Sequence, residues 1–348
     1  MIWLTWRQFR VQFLVVASVI LATAIVLAAT GPNLLDDYHR LTGNFIQSLG
    51  FEHLNPLLYI VGQVLLYAVP PVIGAFWGAP MIARELETGT HRLVWSQSTS
   101  RSRWLAIKVG VTGLSAIAIT GLLSLAVTWW ADPIDDAINA GQDSNVYLPR
   151  MFPPTFSARG LVPVGYAAFA FALGVAIGLV VRRTLVALAI TLAAVILVQV
   201  VTPAFIRPHL LAPTDKYIVA SAENIRGFGL SGDGPNPVVK ELEVATGEVG
   251  AWKLTDETVD KSGKVLSTLP SWAIDCAPVP PGLTQQPTDS ADRTACFQRL
   301  ADEGYRQHVK YFTADKFWAL QWREFGFFFV LALLLTGFSF WRIRRDLS

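Results

Sequence analysis

The 348-residue chain is 52% hydrophobic and only 16% charged, with a formal charge of +2 and a mean hydropathy of +0.42. That balance excludes an ordinary soluble globule and gives no basis for a nucleic-acid partner. The expected class is an α-helical integral membrane protein.

A membrane-spanning helix needs about 20 mostly apolar residues. The first such run covers residues 11–30 and comes after MIWLTWRQFR. In that leader Ile2, Trp3, Trp6, Phe9 and Phe13 share one helical face, with Thr5, Gln8 and Gln12 on another, so a short interfacial helix is expected before the span. A cleaved signal peptide is the competing reading. The apolar run is about twice the usual signal length and two tryptophans precede it, which favours a retained helix. Residues 31–56 form a loop with Asp36, Asp37, His39, Glu52 and His53. Their spacing matches no compact ligand pattern, so a solvated loop is expected and no metal site.

The second span, residues 57–82, holds Tyr59, Gln63 and Tyr67 and is kinked by Pro70 and Pro71. The polar insert ARELETGTHRLVWSQSTSRSRW, residues 83–104, comes directly after it. ARELET should extend the second helix beyond the membrane, and Gly89 should end it in the left-handed conformation. Thr90 can cap a short helix beginning at His91, and Ser100 can cap the third span, residues 105–130. A Pro-punctuated acidic loop, residues 131–160, leads to spans at 161–181 and 184–206, separated only by Arg182 and Arg183.

Residues 207–323 form too long a polar stretch for a simple loop. Alternating pieces such as VVKELEV, broken by SGDGPNP, and a helical DRTACFQRLADEGYRQHVKYF suggest an α+β module. Cys276 and Cys296 both lie there, and an oxidising exterior favours a disulfide between them. A sixth span, residues 325–341, sits within a final segment, 324–348, that ends in a basic tail.

Orientation is set by Lys and Arg in the short loops. With the N-terminus inside, the cytoplasmic side carries Arg7, Arg10, Arg84, Arg92, Arg101, Arg103, Lys108, Arg182, Arg183, Arg342, Arg344 and Arg345, against Arg40, Arg150 and Arg159 outside. Both termini and the polar insert are therefore expected in the cytoplasm, and the module between spans five and six is expected to be extracellular.

The sequence contains no GxxxxGK[ST], HExxH or GxSxG pattern, so this chain is expected to be non-catalytic, with no cofactor of its own. The spans read as nearly free of ionisable groups, with Lys108 close enough to the inner surface to snorkel, which argues against an ion-driven carrier. Glu85 and Glu87 stand out on a cationic face. They are expected to pair with a partner's basic residues or with Arg7 and Arg10. Charge and length alone fit an ordinary positive-inside loop equally well.

WRQFR near the start, ARELETGTHRLVW after the second span, and FWALQWREFG with WRIRR around the last together resemble the permease subunit of bacterial type-2 ABC exporters. The resemblance implies a plasma-membrane permease dimer bound to two ABC ATPase subunits, which bind ATP and Mg in chains other than this one. It implies that Arg84, Glu85, Leu86, Glu87, Thr88, Gly89, Thr90, His91, Arg92, Leu93 and Val94 form the coupling region seated on the ATPase. Candidate pathway-lining residues are Tyr59, Gln63, Tyr67 and Gln199. A span set this poor in charge suits an apolar or amphipathic cargo such as a lipid, antibiotic or hydrophobic peptide. The alternative function is an accessory membrane-anchored protein that binds a ligand or envelope component through its outer module.

Overall fold

The computed structural model describes residues 2–41, 43–50, 54–89, 100–142, 144–221, 224–231, 238–245, 247–276 and 290–345. The chain divides into two compact units, one made of Met1–Leu211 with Asp315–Ser348 and the other of Ala212–Ala314.

The first unit is helical: α1 (Ile2–Arg40), α2 (Phe45–Ser48), α3 (Leu54–Val72), α4 (Ala79–Glu87), α5 (Arg101–Asn139), α6 (Pro153–Ser157), α7 (Val162–Val181) and α8 (Thr184–Val201), closed by α10 (Phe317–Arg345). Helix α9 (Ser290–Asp302) belongs to the second unit. Among the described residues, six helical segments are long and apolar enough to cross a membrane: Phe9–Arg40, Leu54–Glu87, Arg101–Asn139, Val162–Val181, Thr184–His209 and Ala314–Arg345.

Two helices overrun their expected ends. α1 and α5 are each 39 residues long, about 58 Å at 1.5 Å per residue and nearly twice a bilayer core. The segments expected as loops after residues 30 and 130 continue as helix because an apolar face continues through them. Leu34 in α1 and Ile134, Ala137 and Ile138 in α5 are buried, while Asp132 and Asp136 face outward. The expected interfacial leader is likewise not a separate element. α1 starts at Ile2 without a break, and Phe9 is buried edge-on against Trp77 at 4.6 Å. Trp130 Nε1 donates to Thr30 Oγ1 at 3.0 Å and further ties α1 to α5.

α7 is the central element and packs against α3, α4, α5, α8 and α10. Its partner is an unusual stretch of the second span. After Pro70 and Pro71, residues Ile73–Gly78 wind as a π-helix before α4 begins. Pro71 has no N–H, so the Tyr67 carbonyl one turn earlier loses its helical donor. Gln199 Nε2 on α8 supplies a replacement at 3.1 Å, which is how a proline inside a span keeps its backbone satisfied. Gly74 and Gly78 of the π-helix meet Gly174 and Gly178 of α7 (or the residues beside them) at backbone-to-backbone distance. Two small-xxx-small ridges, GAFWG and GVAIG, therefore face one another.

The second unit is the expected α+β module, bounded at 212–314 instead of 207–323. Strands β1 (Thr214–Val219), β4 (Trp252–Val259) and β5 (Arg306–Phe312) make one antiparallel sheet in the order β1-β5-β4, and β2 (Ile225–Ser231) pairs with β3 (Val238–Val244). Val239, Leu242, Val244, Leu269, Phe297 and Leu300 form its core. In the turn after β4, Asp260 Oδ1 accepts from Ser262 Oγ, Ser262 N and Lys264 N, and the Ser262 hydroxyl first among these holds its carboxyl below the usual range.

Cys276 and Cys296 are disulfide-bonded with their Cα atoms 5.6 Å apart. The bridge ties the 3-10 turn Ser271–Cys276 to α9. Closing a loop of 20 residues restricts the unfolded chain by about 3 kcal/mol. Replacing both cysteines by alanine should therefore make residues 212–314 digest faster under limited proteolysis at unchanged membrane insertion. Equal resistance with and without the bridge would contradict this.

Candidate functional site

Residues Arg84 to Gly89 form the last turn of α4 and its exit. The helix ends as expected: Thr88 N donates to the Arg84 carbonyl at 3.0 Å, and Gly89 takes φ 71, where a side chain would be strained. Ser100 Oγ accepts from Arg103 N at 3.3 Å and caps α5. The remaining expected coupling residues, Thr90, His91, Arg92, Leu93 and Val94, lie outside the described residues.

The two carboxylates have partners different from those expected. Glu85 is bonded to Lys108 of α5, and both side chains are largely buried. Lys108 also lies 5.1 Å from the centre of the buried Trp104 ring. It does not snorkel outward, because a carboxylate and an aromatic face meet its ammonium inside the fold. Glu87 Oε2 accepts from Thr184 N at 2.9 Å and from Thr184 Oγ1 at 2.6 Å. It caps α8, where an anion is favoured by unpaired N–H groups and the helix dipole. Neither contact involves Arg7 or Arg10. The end of α4 is thus fastened to two neighbouring spans, while Arg84, Glu87 and Thr88 stay exposed and Leu86 packs on the core.

The four expected pathway residues fall into two groups. Tyr67 and Gln199 meet at the Pro71 site, and the Tyr67 hydroxyl donates to the Pro154 carbonyl at 3.0 Å. Tyr59 Oη donates to the Leu148 carbonyl at 3.1 Å and accepts from Leu148 N at 3.3 Å. Gln63 lies one turn further along the same face of α3. All four lie where helices pack.

Buried charge is more plentiful than the span composition suggests. Arg207 and Glu324 are fully buried, with Arg207 Nε to Glu324 Oε2 at 2.6 Å and Nη2 to Oε1 at 3.0 Å. Arg207 Nη1 also donates to the Pro153 carbonyl at 3.0 Å, Nη2 reaches Ser157 Oγ, and Tyr166 Oη donates to Glu324 Oε1 at 3.2 Å. Gln321, equally buried, donates to the Phe156 carbonyl and accepts from Leu161 N and Val162 N. These bonds pin α6 and the start of α7 to α10. A second pair joins Asp135 of α5 to Arg159, Oδ2 to Nε at 3.2 Å. By sequence alone Asp135 and Arg159 fall in a loop and Arg207 in the module. Their only sequence signal is weak: Arg159 and Arg207 are isolated charges next to long apolar runs, and Asp135 is one of three aspartates just beyond the third.

Among the described residues no group of His, Cys, Asp and Glu could hold a metal ion. A family profile described as "ABC-2 membrane transporter related" matches residues 17–207. The match runs from within α1 through the helical segment beyond α8, and stops before the α+β module. No curated protein and no solved structure matches the chain.

Proposed function

Because the chain belongs to the ABC-2 membrane transporter related family, we propose that it is the permease subunit of an ATP-driven exporter in a bacterial plasma membrane. Both termini and residues 83–104 face the cytoplasm. A separate ABC ATPase docks on that segment and supplies ATP and Mg, two permeases assemble with two ATPases, and the α+β module lies outside. The cargo is apolar or amphipathic and moves outward by alternating access.

The observation that carries this reading is the fastening of the end of α4. When the ATPase pushes on residues 84–94, the Glu85–Lys108 pair passes the movement to α5 and the Glu87 cap passes it to α8. The segment continues directly into α4 and the π-helix, a local winding that recurs at functional sites. The Pro70–Pro71 kink then lets the inner part of the second span tilt without breaking its bond to Gln199.

The rival reading, a membrane-anchored binding protein, is favoured by the separate core and disulfide of residues 212–314. Affinity purification of the full chain from its native membrane separates the two. The permease reading expects an ABC ATPase to co-purify and to turn over ATP in the complex. Recovery of the chain without any ATPase would sink it.

A further inference from the structure

Two buried ion pairs of the helical unit, Arg207–Glu324 and Asp135–Arg159, differ in how completely they are satisfied. In the Arg207–Glu324 pair all three guanidinium nitrogens donate, both carboxylate oxygens accept, and the Tyr166 hydroxyl adds a further bond. The Asp135–Arg159 pair is equally buried, with 3% and 1% of each residue exposed, but it is joined at one point. Arg159 Nη1 turns back to its neighbouring Ala158 carbonyl at 3.2 Å. Arg159 Nη2 and Asp135 Oδ1 have no hydrogen-bond partner among the described residues. Nη2 lies on the same edge of the guanidinium as Nε, the nitrogen that meets Asp135.

Thr155 is fully buried and its hydroxyl is turned to the Tyr59 phenol. The Arg159 guanidinium stands 5.1 Å over the Tyr59 ring, which walls one side. The frame is fixed: Ser124 Oγ donates to the Gly160 carbonyl at 2.6 Å and Gly160 N to Thr128 Oγ1 at 3.0 Å, holding the Arg159 segment on α5. Buried polar atoms are costly to leave unpaired, so two at one ion pair mark a place kept for a hydrogen-bonding guest. Aspartate and arginine cancel, which disfavours a charged guest. The open valences are one donor and one acceptor.

We propose that Tyr59, Asp135, Thr155 and Arg159 form a buried recognition site for an uncharged hydrogen-bonding group, a hydroxyl or an amide, on an otherwise apolar molecule. That this molecule is the exported cargo rests on the permease reading; the site itself does not. It narrows an apolar or amphipathic cargo to one whose head is neutral and both donates and accepts.

The test uses the full chain in phosphatidylcholine nanodiscs, with tryptophan fluorescence and empty discs as the blank. Three probes share a decyl chain: decyl glucoside, decyltrimethylammonium and decyl sulfate. Decyl glucoside should bind at least about tenfold more tightly than either charged probe, a factor of roughly 1.4 kcal/mol. Asp135→Asn should turn the preference towards decyl sulfate, and Arg159→Gln towards decyltrimethylammonium, an inversion that a purely structural pair would not produce. Thr155→Val keeps shape and charge and tests the site if the charge variants do not fold; it should weaken decyl glucoside about threefold to tenfold. Equal binding of the three probes, an unchanged ranking in the charge variants, or unaltered decyl glucoside binding in Thr155→Val would each overturn the site. No ATPase enters this assay, so failure of ATPase co-purification sinks the permease reading alone.

Discussion

A Gly174→Leu chain is expected to lose its folded helical unit. A Cβ at Gly174 would stand 2.3 Å from the Gly74 carbonyl oxygen and 2.8 Å from Ala79 N. Neither neighbour is a side chain that can swing away. At Gly78 a Cβ would meet the Phe171 carbonyl oxygen at 2.5 Å, and at Gly178 the Ala79 carbonyl oxygen at 2.7 Å. The two ridges touch through backbone along two helical turns, and α7 cannot yield on its other side because it is packed against α5 and α10. Overpacking ordinarily costs about 1–3 kcal/mol; against unyielding backbone the cost should exceed about 3 kcal/mol. Thermal unfolding in detergent should show it as a loss of the cooperative transition. Gly326→Ala serves as the control, since nothing lies within 4 Å of a Cβ there. It should be neutral or stabilise α10 by up to about 1 kcal/mol. Similar losses in both variants would show that the close crossing is not what makes Gly174 special.

Arg207→Met alone should cost about 3–5 kcal/mol, because it leaves the Glu324 carboxylate fully buried with its main partner gone. The same change removes donors from the Pro153 carbonyl and Ser157, freeing α6. The double variant Arg207→Met with Glu324→Leu should recover much of that loss, since removing both charges also removes the cost of burying them. Melting temperatures of the parent, the two single variants and the double variant close the cycle. A double variant as unstable as the sum of the singles would mean that the pair does not act as a unit.

Composition makes the six spans legible, because about 20 apolar residues are needed to cross a bilayer and little else produces such runs. The end of α4 at Gly89 and the Ser100 cap are legible because they depend on local backbone chemistry. So is the Cys276–Cys296 bridge, since no other cysteine competes. The features that stay hidden depend on distant pairing. Glu85 meets a lysine 23 residues away, Asp135 an arginine 24 residues away, and Arg207 a glutamate 117 residues away. Charge counting sorts these groups by side of the membrane and cannot say which of them turn inward. The overrun of α1 and α5 is hidden for a related reason: polar residues such as Asp132 and Asp136 mask a helical face that stays buried. The glycine crossing has a readable signal, GAFWG and GVAIG at matching spacing, but only the fold shows that the two face one another.

If the end of α4 carries movement from a separate ATPase into the spans, Glu85→Gln addresses that transmission most directly, because it neutralises the link to Lys108 with almost no change of shape. The measurement is export and ATP turnover together, in the reconstituted complex with its ATPase. Hydrolysis should stay within about twofold of the parent while export per ATP falls about tenfold or more, as a loss of about 1–3 kcal/mol of coupling would produce. Export per ATP equal to the parent's, in a complex that still hydrolyses ATP, would contradict the coupling role of α4.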